Sequence, residues 1–358
     1  MLRVSAGLAA RVGGPAASTV TSCCAGRNAG IETTLAVISH ESVAALEALR
    51  LHGVTVLEFS PSGGVLGRWS MSVGFLRWVV LGVRPFDVIH VHGAWTMPTI
   101  VAVMAARVWR RPVVLTPHES LSDFDIAKSP LLGRIVKLRL RRLYRRLCAA
   151  IVCASELEKQ ASGGRRCVVL AHPVPRGKAS STLLPASEHG FRIGFLGRFD
   201  SKKNLELLIR ALPDGVELLV AGDGPARSRL VELAADCGVS GRVRWLGFLG
   251  ATDRTRFFAS IDALAMPSAY ESFGMAAAEA LAAGVPVLVS PSTGVARMVR
   301  QYDCGVVVEP TVAALHAALS RPDVIRNKSN TTSLAAEQEF GLHAHGVGLR
   351  RLYETVAT

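Results

Sequence analysis

The fold is decided by residues Pro267 to Ser290, which run P-S-A-Y-E-S-F-G-M-A-A-A-E-A-L-A-A-G-V-P-V-L-V-S. Residues Met275 to Ala283 are almost all strong helix formers. Gly284 follows where a helix C-terminus favours a left-handed backbone, and the apolar run Val285 to Val289 predicts a strand buried inside a sheet. The stretch therefore predicts a loop, a helix, a terminating glycine and an inner strand, which together are a repeating unit of an α/β fold.

The start of this helix is a candidate ligand site. Its first turn, entered through Ser272, Phe273 and Gly274, presents unpaired N–H groups and the positive end of the helix dipole, which suit a phosphate. Glu279 lies one to two turns further along, on a surface otherwise made of alanine, so we expect a bulky, hydroxyl-bearing ligand to approach there. The alternative is an ordinary strand–helix–strand unit in which Glu271 and Glu279 are solvated.

The E-x7-E spacing of Glu271 and Glu279, with S-F-G after the first Glu, resembles the retaining GT-B glycosyltransferases of the GT4-like, or group 1, family. This resemblance implies that Glu271 contacts the donor sugar and that Glu279 holds the ribose hydroxyls of a nucleotide sugar. It also places Ser272, Phe273 and Gly274 in the donor site.

The composition is that of a globular chain with an anionic partner. At 358 residues, 49% hydrophobic and 19% charged, the chain is long enough for two domains. The formal charge of +13 indicates nucleic acid, a membrane surface or a phosphorylated substrate. The nearest approach to a membrane span, Trp69 to Val83, is too short and contains Arg77.

Cysteine usage and the first residues indicate a cytoplasmic protein. The cysteines form no C-x-x-C pair, so buried free thiols in a reducing compartment are expected. The first apolar stretch is interrupted by Arg11, Gly13 and Gly14, which argues against a signal peptide. We therefore expect a cytoplasmic location, with peripheral association at the inner face of the cytoplasmic membrane. The seven cysteines are Cys23, Cys24, Cys148, Cys153, Cys167, Cys237 and Cys304.

The chain opens with the pattern of a nucleotide-binding unit. Residues Leu2 to Leu8 predict a strand, and Gly13-Gly14-Pro15 predicts a turn where a ligand can approach the backbone. This turn resembles the G-G-P loop of the family, which implies that Gly14 faces the donor phosphates. The predicted strand is shorter than the family's usual first strand.

Polar residues follow the predicted strands of the first half, at the edge where ligands of open α/β sheets bind. His92 and His118 stand there, and Asp123 lies on the loop that follows. The resemblance implies that His118 contacts the donor sugar or the acceptor, with His92 and Asp123 as acceptor-site candidates. Structural roles for the histidines, and a solvated loop for Asp123, remain alternatives. The predicted strands are Val54–Phe59, Asp87–His90, Val113–Thr116 and Ile151–Cys153.

Two helices near these strands are predicted from distinct sequence patterns. Ser155 and Glu158 predict a capping box, in which each side chain satisfies a helix N–H group. Residues Arg134 to Leu147 predict a basic amphipathic helix, typical of membrane-surface or nucleic-acid binding. The helix lacks the interleaved aromatic residues of a single-strand binding platform, and the chain contains no nucleic-acid motif, so we favour an anionic membrane and a lipid-linked acceptor. The alternative is a surface helix that packs by its leucines.

The second half opens with a second nucleotide-fold pattern. A strand from Phe191 to Leu196 leads to Gly197, and Arg198 and Lys203 follow as candidate ligands of a diphosphate. The G-R-x4-K arrangement resembles the family's element of that form. The resemblance places the base pocket near Phe248, and it gives catalytic roles to His118, Arg198, Lys203 and Glu271.

We predict two Rossmann-like domains facing across a central cleft, the GT-B fold. The predicted boundaries are residues 1–172 for an acceptor-binding domain, 173–333 for a nucleotide-sugar-binding domain, and 334–358 for a C-terminal helix that returns to the first domain. The Pro-, Ser- and Gly-rich stretch from Ala171 to Gly190 is the predicted linker.

The predicted reaction transfers a sugar from a nucleotide diphosphate sugar to a hydroxyl of a glycan or lipid-linked acceptor. The resemblance implies retention of anomeric configuration and no metal, because cations and helix N–H groups can neutralise the leaving diphosphate. Two alternatives are an epimerase or phosphorylase on the same fold and a basic nucleotide-binding module without catalysis.

Overall fold

The computed structural model describes residues 1–8, 14–38, 43–63, 70–164, 166–177 and 190–358, apart from the side chain of residue 330. The described chain divides into two compact units. Unit 1 comprises Met1–Pro173 and Leu342–Thr358, and unit 2 comprises Val174–Gly341. Each unit is a parallel α/β structure, which confirms the predicted fold class.

Unit 1 is built on a parallel sheet. Its strands are β1 (Leu2–Ser5), β2 (Thr34–Ile38), β3 (Thr55–Phe59), β4 (Ile89–His92), β5 (Val113–Thr116), β6 (Ala150–Cys153) and β7 (Cys167–Val169). Its helices are α1 (Gly14–Asn28), α2 (Val43–Leu51), α3 (Val73–Gly82), α4 (Met97–Val108), α5 (Asp123–Ala127), α6 (Leu131–Leu147), α7 (Glu156–Ala161) and α16 (Leu342–Ala357). The strands described lie in the order β3-β2-β1-β4-β5-β6-β7, so the direction of winding reverses at β1.

This reversal decides which face of the sheet each helix covers, and it locates the edge where ligands bind. Because parallel crossovers are right-handed, α1 and α2 cover one face while α3, α4 and α6 cover the other. Ligands of such sheets bind beyond the carboxyl ends of the strands at the reversal, here between β1 and β4. Strand β4 runs two residues beyond the predicted His90, so His92 is its last residue and pairs in register with Ser5.

Unit 2 repeats the plan. Its strands are β8 (Phe191–Leu196), β9 (Val216–Ala221), β10 (Val243–Gly247), β11 (Ala263–Met266), β12 (Val287–Val289) and β13 (Gly305–Val307). Its helices are α8 (Leu205–Arg210), α9 (Arg227–Asp236), α10 (Ala251–Ala259), α11 (Met275–Ala282), α12 (Ala296–Tyr302), α13 (Val312–Leu319), α14 (Pro322–Arg326) and α15 (Ser329–Phe340). The described strands are parallel in the order β10-β9-β8-β11-β12-β13, and winding reverses between β8 and β11. The opening stretch therefore supplies the loop, helix and strand next to this reversal.

The last helical pattern of the sequence divides into two helices. Helix α15 belongs to unit 2 and packs on α11, whereas α16 belongs to unit 1 and packs on α1. The division falls at Gly341, whose extended backbone ends α15. Only the residues from Leu342 onward join unit 1, eight residues later than the predicted return at position 334.

Two sequence predictions fall partly outside the described residues. The predicted linker is described at residues 171–177 and 190, and the predicted turn is described from Gly14, which begins α1. None of the helices that the structure describes is long and apolar enough to cross a bilayer.

Candidate functional site

The loop from β11 to α11 is held in a conformation that requires glycine. Gly274 directly precedes α11 as its N-cap residue with φ +98°, and a Cβ atom there would lie 2.8 Å from Thr293 Cγ2. The loop is also fixed by its backbone, because Glu271 N–H donates to the Ser292 carbonyl at 3.0 Å and the Glu271 carbonyl accepts from Gly294 N–H at 2.9 Å. Glu271 is therefore held in place before α11 begins.

Two lysines converge on the Glu271 carboxylate. Lys203 Nζ lies 2.7 Å from Glu271 Oε1, and Lys202 Nζ lies 3.7 Å from the same oxygen. All three side chains are mostly buried. Lys202 was not a predicted site residue, and its only signal in the sequence was its position next to Lys203. The Arg198 side chain, by contrast, is 77% exposed and 3.9 Å from Asp200.

Glycines bring three loops together at the carboxyl ends of β8, β9 and β10. Gly222 has φ +124°, and a Cβ atom there would lie 1.9 Å from the Gly197 carbonyl oxygen. Its N–H donates to the Gly247 carbonyl at 2.7 Å. Phe248, the predicted base-pocket residue, follows Gly247 and is 74% exposed. The backbones of Gly222 and Gly197 therefore touch, and no side chain fits at position 222. This explains the first glycine of the A-G-D-G-P sequence after β9.

Glu279 has an ion-pair partner that the sequence did not reveal. Its carboxylate accepts from Nη2 of Arg254, a residue of α10. Both side chains are largely buried, and burial lowers the pKa of Arg254. Among the other predicted donor residues, Ser272 is buried, and Phe273 packs edge-to-face on Phe340 with 5.9 Å between ring centroids.

In unit 1, a series of four imidazole rings lies at the carboxyl edge of the sheet. Ring centroids are 4.5 Å apart for His90 and His92, 5.5 Å for His92 and His118, and 5.0 Å for His118 and His172. The rings line a small cavity together with polar residues of α1 and α16, among them Ser22 and His345. Sequence reasoning predicted His92 and His118 here and missed His90, His172 and His345.

The hydrogen bonds around this cavity determine which group is the donor and which is the acceptor in each pair. His345 Nδ1 lies 2.7 Å from the Ala171 carbonyl and must donate to it, so His345 Nε2 accepts from Ser22 Oγ at 2.8 Å. Buried Arg3 donates to Ser22 Oγ at 2.7 Å and to the Tyr353 hydroxyl at 3.2 Å. This network anchors α16 to β1 and α1.

The same network continues to the series of rings. The Tyr353 hydroxyl then donates to His90 Nδ1 at 2.6 Å, and His90 Nε2 donates to Thr116 Oγ1 at 2.7 Å. Burial lowers the pKa of His90 well below 6.5, so its ring is neutral, as this assignment requires. The Tyr353 hydroxyl therefore determines which ring nitrogen of His90 carries the proton.

His92 and His118 offer complementary groups to a ligand. His92 Nδ1 lies 3.2 Å from His118 Nε2, so one ring donates to the other. Burial, with neighbouring imidazoles adding to it, lowers the pKa of both rings well below 6.5, so each neutral ring carries a single N–H. The remaining atoms, His92 Nε2 and His118 Nδ1, are buried and have no partner among the described residues. One of them must be a donor and the other an acceptor, which suits a sugar hydroxyl.

Asp123, the other predicted acceptor residue, begins helix α5. Its Oδ1 lies 2.6 Å from Arg141 Nη1, and the Asp123 side chain is 78% exposed. The structure therefore does not bring Asp123 into the ring series, and it ties this residue to α6.

The basic helix is the exposed helix α6. Its inward side is formed by buried Tyr144 and by Leu140 and Leu147, which pack on the core of unit 1. Arg141 and Arg145 also turn inward, to Asp123 and to the Ser162 carbonyl. The outward side carries both aliphatic and basic residues, with Leu131 and Leu132 each 75% exposed. Simple packing by leucines would bury these aliphatic side chains. The outward residues are Leu131, Leu132, Arg134, Ile135, Val136, Arg139, Arg142, Leu143 and Arg146, and we call them the α6 stripe.

Comparison with known proteins gives matches over both units. Residues 184–329 match the family described as glycosyl transferases group 1, and residues 13–175 match the glycosyl transferase 4-like domain. Phosphatidyl-myo-inositol mannosyltransferase of Mycobacterium leprae is 31% identical over 79% of this chain and 76% of its own length. An uncharacterized glycosyltransferase of Methanocaldococcus jannaschii is 38% identical over 32% of this chain and 31% of its own length.

Solved structures match the whole fold. A crystal structure of the Anabaena protein HepE in complex with UDP and glucose has a TM-score of 0.77 over 99% of both chains, at 19% identity. At that identity the match supports the fold alone.

Proposed function

Because this chain belongs to the group 1 glycosyltransferases, we propose that it moves a sugar from a nucleotide diphosphate sugar to an acceptor hydroxyl. The observation that carries the proposal is the Lys202–Lys203–Glu271 cluster, which lies directly before the N-terminus of α11. Cations and helix N–H groups at one position suit a diphosphate, and a carboxylate beside them suits sugar hydroxyls. M. leprae phosphatidyl-myo-inositol mannosyltransferase, named above, supports a sugar-transfer reaction.

We assign the donor's parts to the predicted residues of unit 2. Arg198 and Lys203 bind the diphosphate near Gly197, and Glu271 contacts the transferred sugar. Glu279 accepts from the ribose hydroxyls with the carboxylate oxygen that Arg254 does not hold. The base lies by Phe248. Since these cations and α11 can neutralise the leaving diphosphate, the proposed reaction uses no metal, and it retains the anomeric configuration.

Substitution of the two glutamates tests this division of roles. Glu279→Gln should weaken binding of both the free nucleoside diphosphate and the donor by about 10- to 100-fold, the range for a lost hydrogen bond to a charged group. Glu271→Gln should leave binding of the free nucleotide unchanged and lower binding of the sugar-bearing donor or its turnover. Thermal shift with a panel of nucleotide sugars and diphosphates finds the ligand, and calorimetry then measures each variant.

Glu206→Gln is the matched control, because Glu206 forms a surface ion pair with Arg229 in the same unit. Equal effects of Glu271→Gln and Glu279→Gln on the free nucleotide would contradict the division. Identification of the product separates a transferase from an epimerase or phosphorylase. A chain that binds nucleotides but neither transfers sugar to an acceptor nor hydrolyses the donor would be a binding module.

We propose that the acceptor is a glycan precursor at an anionic membrane, and that the α6 stripe contacts the membrane surface. The support is the combination of exposed Leu131, Leu132 and Ile135 with exposed arginines on one helix face. Arg134, Arg141 and Arg145 have partners within unit 1, so we assign membrane contact to Arg139, Arg142 and Arg146.

Sedimentation with vesicles tests the membrane proposal. Each cation near an anionic surface contributes about 1 kcal/mol, so changing Arg139, Arg142 and Arg146 to Gln should weaken binding to anionic vesicles about 100-fold at low salt. The control changes three exposed arginines of unit 2, Arg210, Arg229 and Arg300, to Gln and removes the same charge. If both triple variants bind equally, or if the parent protein ignores anionic vesicles at low salt, the α6 stripe is not a membrane contact.

A further inference from the structure

Glu158 is a fully buried carboxylate whose hydrogen bonds join two loops at the carboxyl edge of unit 1. Its Oε1 accepts from Glu119 N–H at 2.6 Å, and its Oε2 accepts from Ala154 N–H at 2.6 Å. Glu119 follows β5 and Ala154 follows β6. Burying a carboxylate is costly unless each oxygen is hydrogen-bonded, so this position serves a purpose that an apolar residue would not.

The arrangement extends the capping box that the sequence predicted. Ser155 Oγ does accept from Glu158 N–H at 3.1 Å, as a capping residue should. The Glu158 carboxylate also accepts from the Ala154 amide, directly before Ser155, and from the amide of Glu119. Ser155 therefore caps α7, and the Glu158 side chain connects this helix start to the loop after β5.

The amide held by Oε1 lies immediately after His118. His118 and Glu119 both have left-handed backbone conformations, with φ of +50° and +74°. Such conformations cost about 1–2 kcal/mol for each residue other than glycine, and they persist only where the surroundings enforce them. The next residue, Ser120, is tied back by its backbone N–H to the Pro117 carbonyl at 3.2 Å.

We infer that Glu158 is a positioning residue, whose ionised carboxylate holds the strained His118–Glu119 backbone so that the His118 ring meets the substrate. The contact through Glu119 fixes the peptide that follows His118, and the contact through Ala154 fixes the carboxylate itself. The role in turnover rests on the proposed function, whereas the effect on the His118 ring does not.

The ionisation of Glu158 lies in a measurable range. Burial raises the pKa of Glu158 to about 7, with the negative charge of Glu119 acting in the same direction and the two amide hydrogen bonds opposing it. Among the described residues, the other titratable groups that face it are the thiols of Cys153 and Cys167. Protonation turns one accepting oxygen into a hydroxyl, so the hold on the loop weakens as the pH falls below about 7.

Nuclear magnetic resonance of the substrate-free protein tests whether Glu158 positions the His118 ring. With histidine labelled in the ring, the His118 signals should move with a midpoint near pH 7, although His118 itself stays neutral there. In Glu158→Gln this transition should disappear, while in Glu156→Gln it should remain. Glu156 lies in the first turn of the same helix, is partly exposed and pairs with Lys159, so it is a matched control.

Enzyme kinetics test whether this positioning matters for turnover. Glu158→Gln should lower kcat by about 10- to 100-fold, the scale of a reacting group misplaced by about 1 Å, with little change in the donor KM. It should also remove the acidic limb near pH 7 from the profile of kcat, which a merely structural role would not do. Glu156→Gln should keep both.

Two results would overturn the inference: His118 signals in the parent protein that do not move near pH 7, or a Glu158→Gln variant that keeps the acidic limb. The first needs no variant, so it decides the question even if Glu158→Gln does not fold. If the His118 transition is present and no sugar transfer is found, the proposed function has failed and the positioning by Glu158 stands.

Discussion

Replacing Arg198 and Lys203 together with Ala is expected to lower kcat/KM for the nucleotide-sugar donor by at least about 10³-fold. Removal of a single group that stabilises developing negative charge in an active site costs about 10²–10³-fold, and both residues are assigned to the leaving diphosphate. Arg198 is free to move toward a ligand, since its side chain is 77% exposed. Lys203 lies 2.7 Å from Glu271 and connects the diphosphate position to the sugar position.

The same double variant should change stability much less than activity. Arg198 is exposed, and Lys202 remains 3.7 Å from the Glu271 carboxylate after Lys203 is removed. Arg229→Ala is the matched control, because Arg229 is also 77% exposed and also lies beside a carboxylate. Steady-state kinetics and thermal unfolding are measured on both variants. A double variant with unchanged donor affinity and turnover would show that these cations do not bind the diphosphate.

Lowering the pH from 7.5 to 5 is expected to destabilise unit 1 by several kcal/mol. Burial lowers the pKa of His172 to about 4 and that of His345 to about 3, and it lowers the pKa values of His90, His92 and His118 in the same direction. The unfolded chain therefore binds protons below about pH 6.5 that the folded chain does not bind. At pH 5, each histidine with a folded pKa well below 5 contributes a loss of about 2 kcal/mol.

One group acts in the opposite direction. The pKa of Glu158 is raised to about 7, so its protonation favours the folded state by about 2 kcal/mol as the pH falls from 7 to 5. The five histidines together outweigh it, and the net effect is a loss of stability at acid pH. Urea unfolding at pH 7.5 and 5, followed by hydrogen exchange in unit 1, measures the difference.

A pair of variants assigns this effect to the buried rings. His172→Gln should reduce the loss between pH 7.5 and 5 by about 2 kcal/mol, whatever it does to stability at pH 7.5. His52→Gln should leave the loss unchanged, because His52 is exposed. If the two variants show the same pH dependence as the parent protein, the buried histidines do not control it.

The sequence predicted the elements whose signals are local. The run of helix formers from Met275 to Ala283, the glycine after it and the apolar strand Val287–Val289 appear as expected, because propensity and burial pattern act within a few residues. Gly274 was identifiable for the same reason, since it stands where the backbone must turn closely. The E-x7-E spacing, taken together with the G-R-x4-K element, indicated the family, which the comparisons confirm.

Only the tertiary structure decided which side chains meet. Arg254 pairs with Glu279 across 25 positions, Glu158 reaches Glu119 across 39, and the network from Arg3 to Tyr353 spans 350. These pairings depend on strand register and on the helix that covers each face of a sheet, and neither is encoded near the residues concerned. The pKa values of Glu158 and of the buried histidines were also not predictable from the local sequence, because burial in the folded unit sets them. Glu158 in isolation is a capping residue, and it becomes a buried carboxylate between two loops only when β5 and β6 lie side by side.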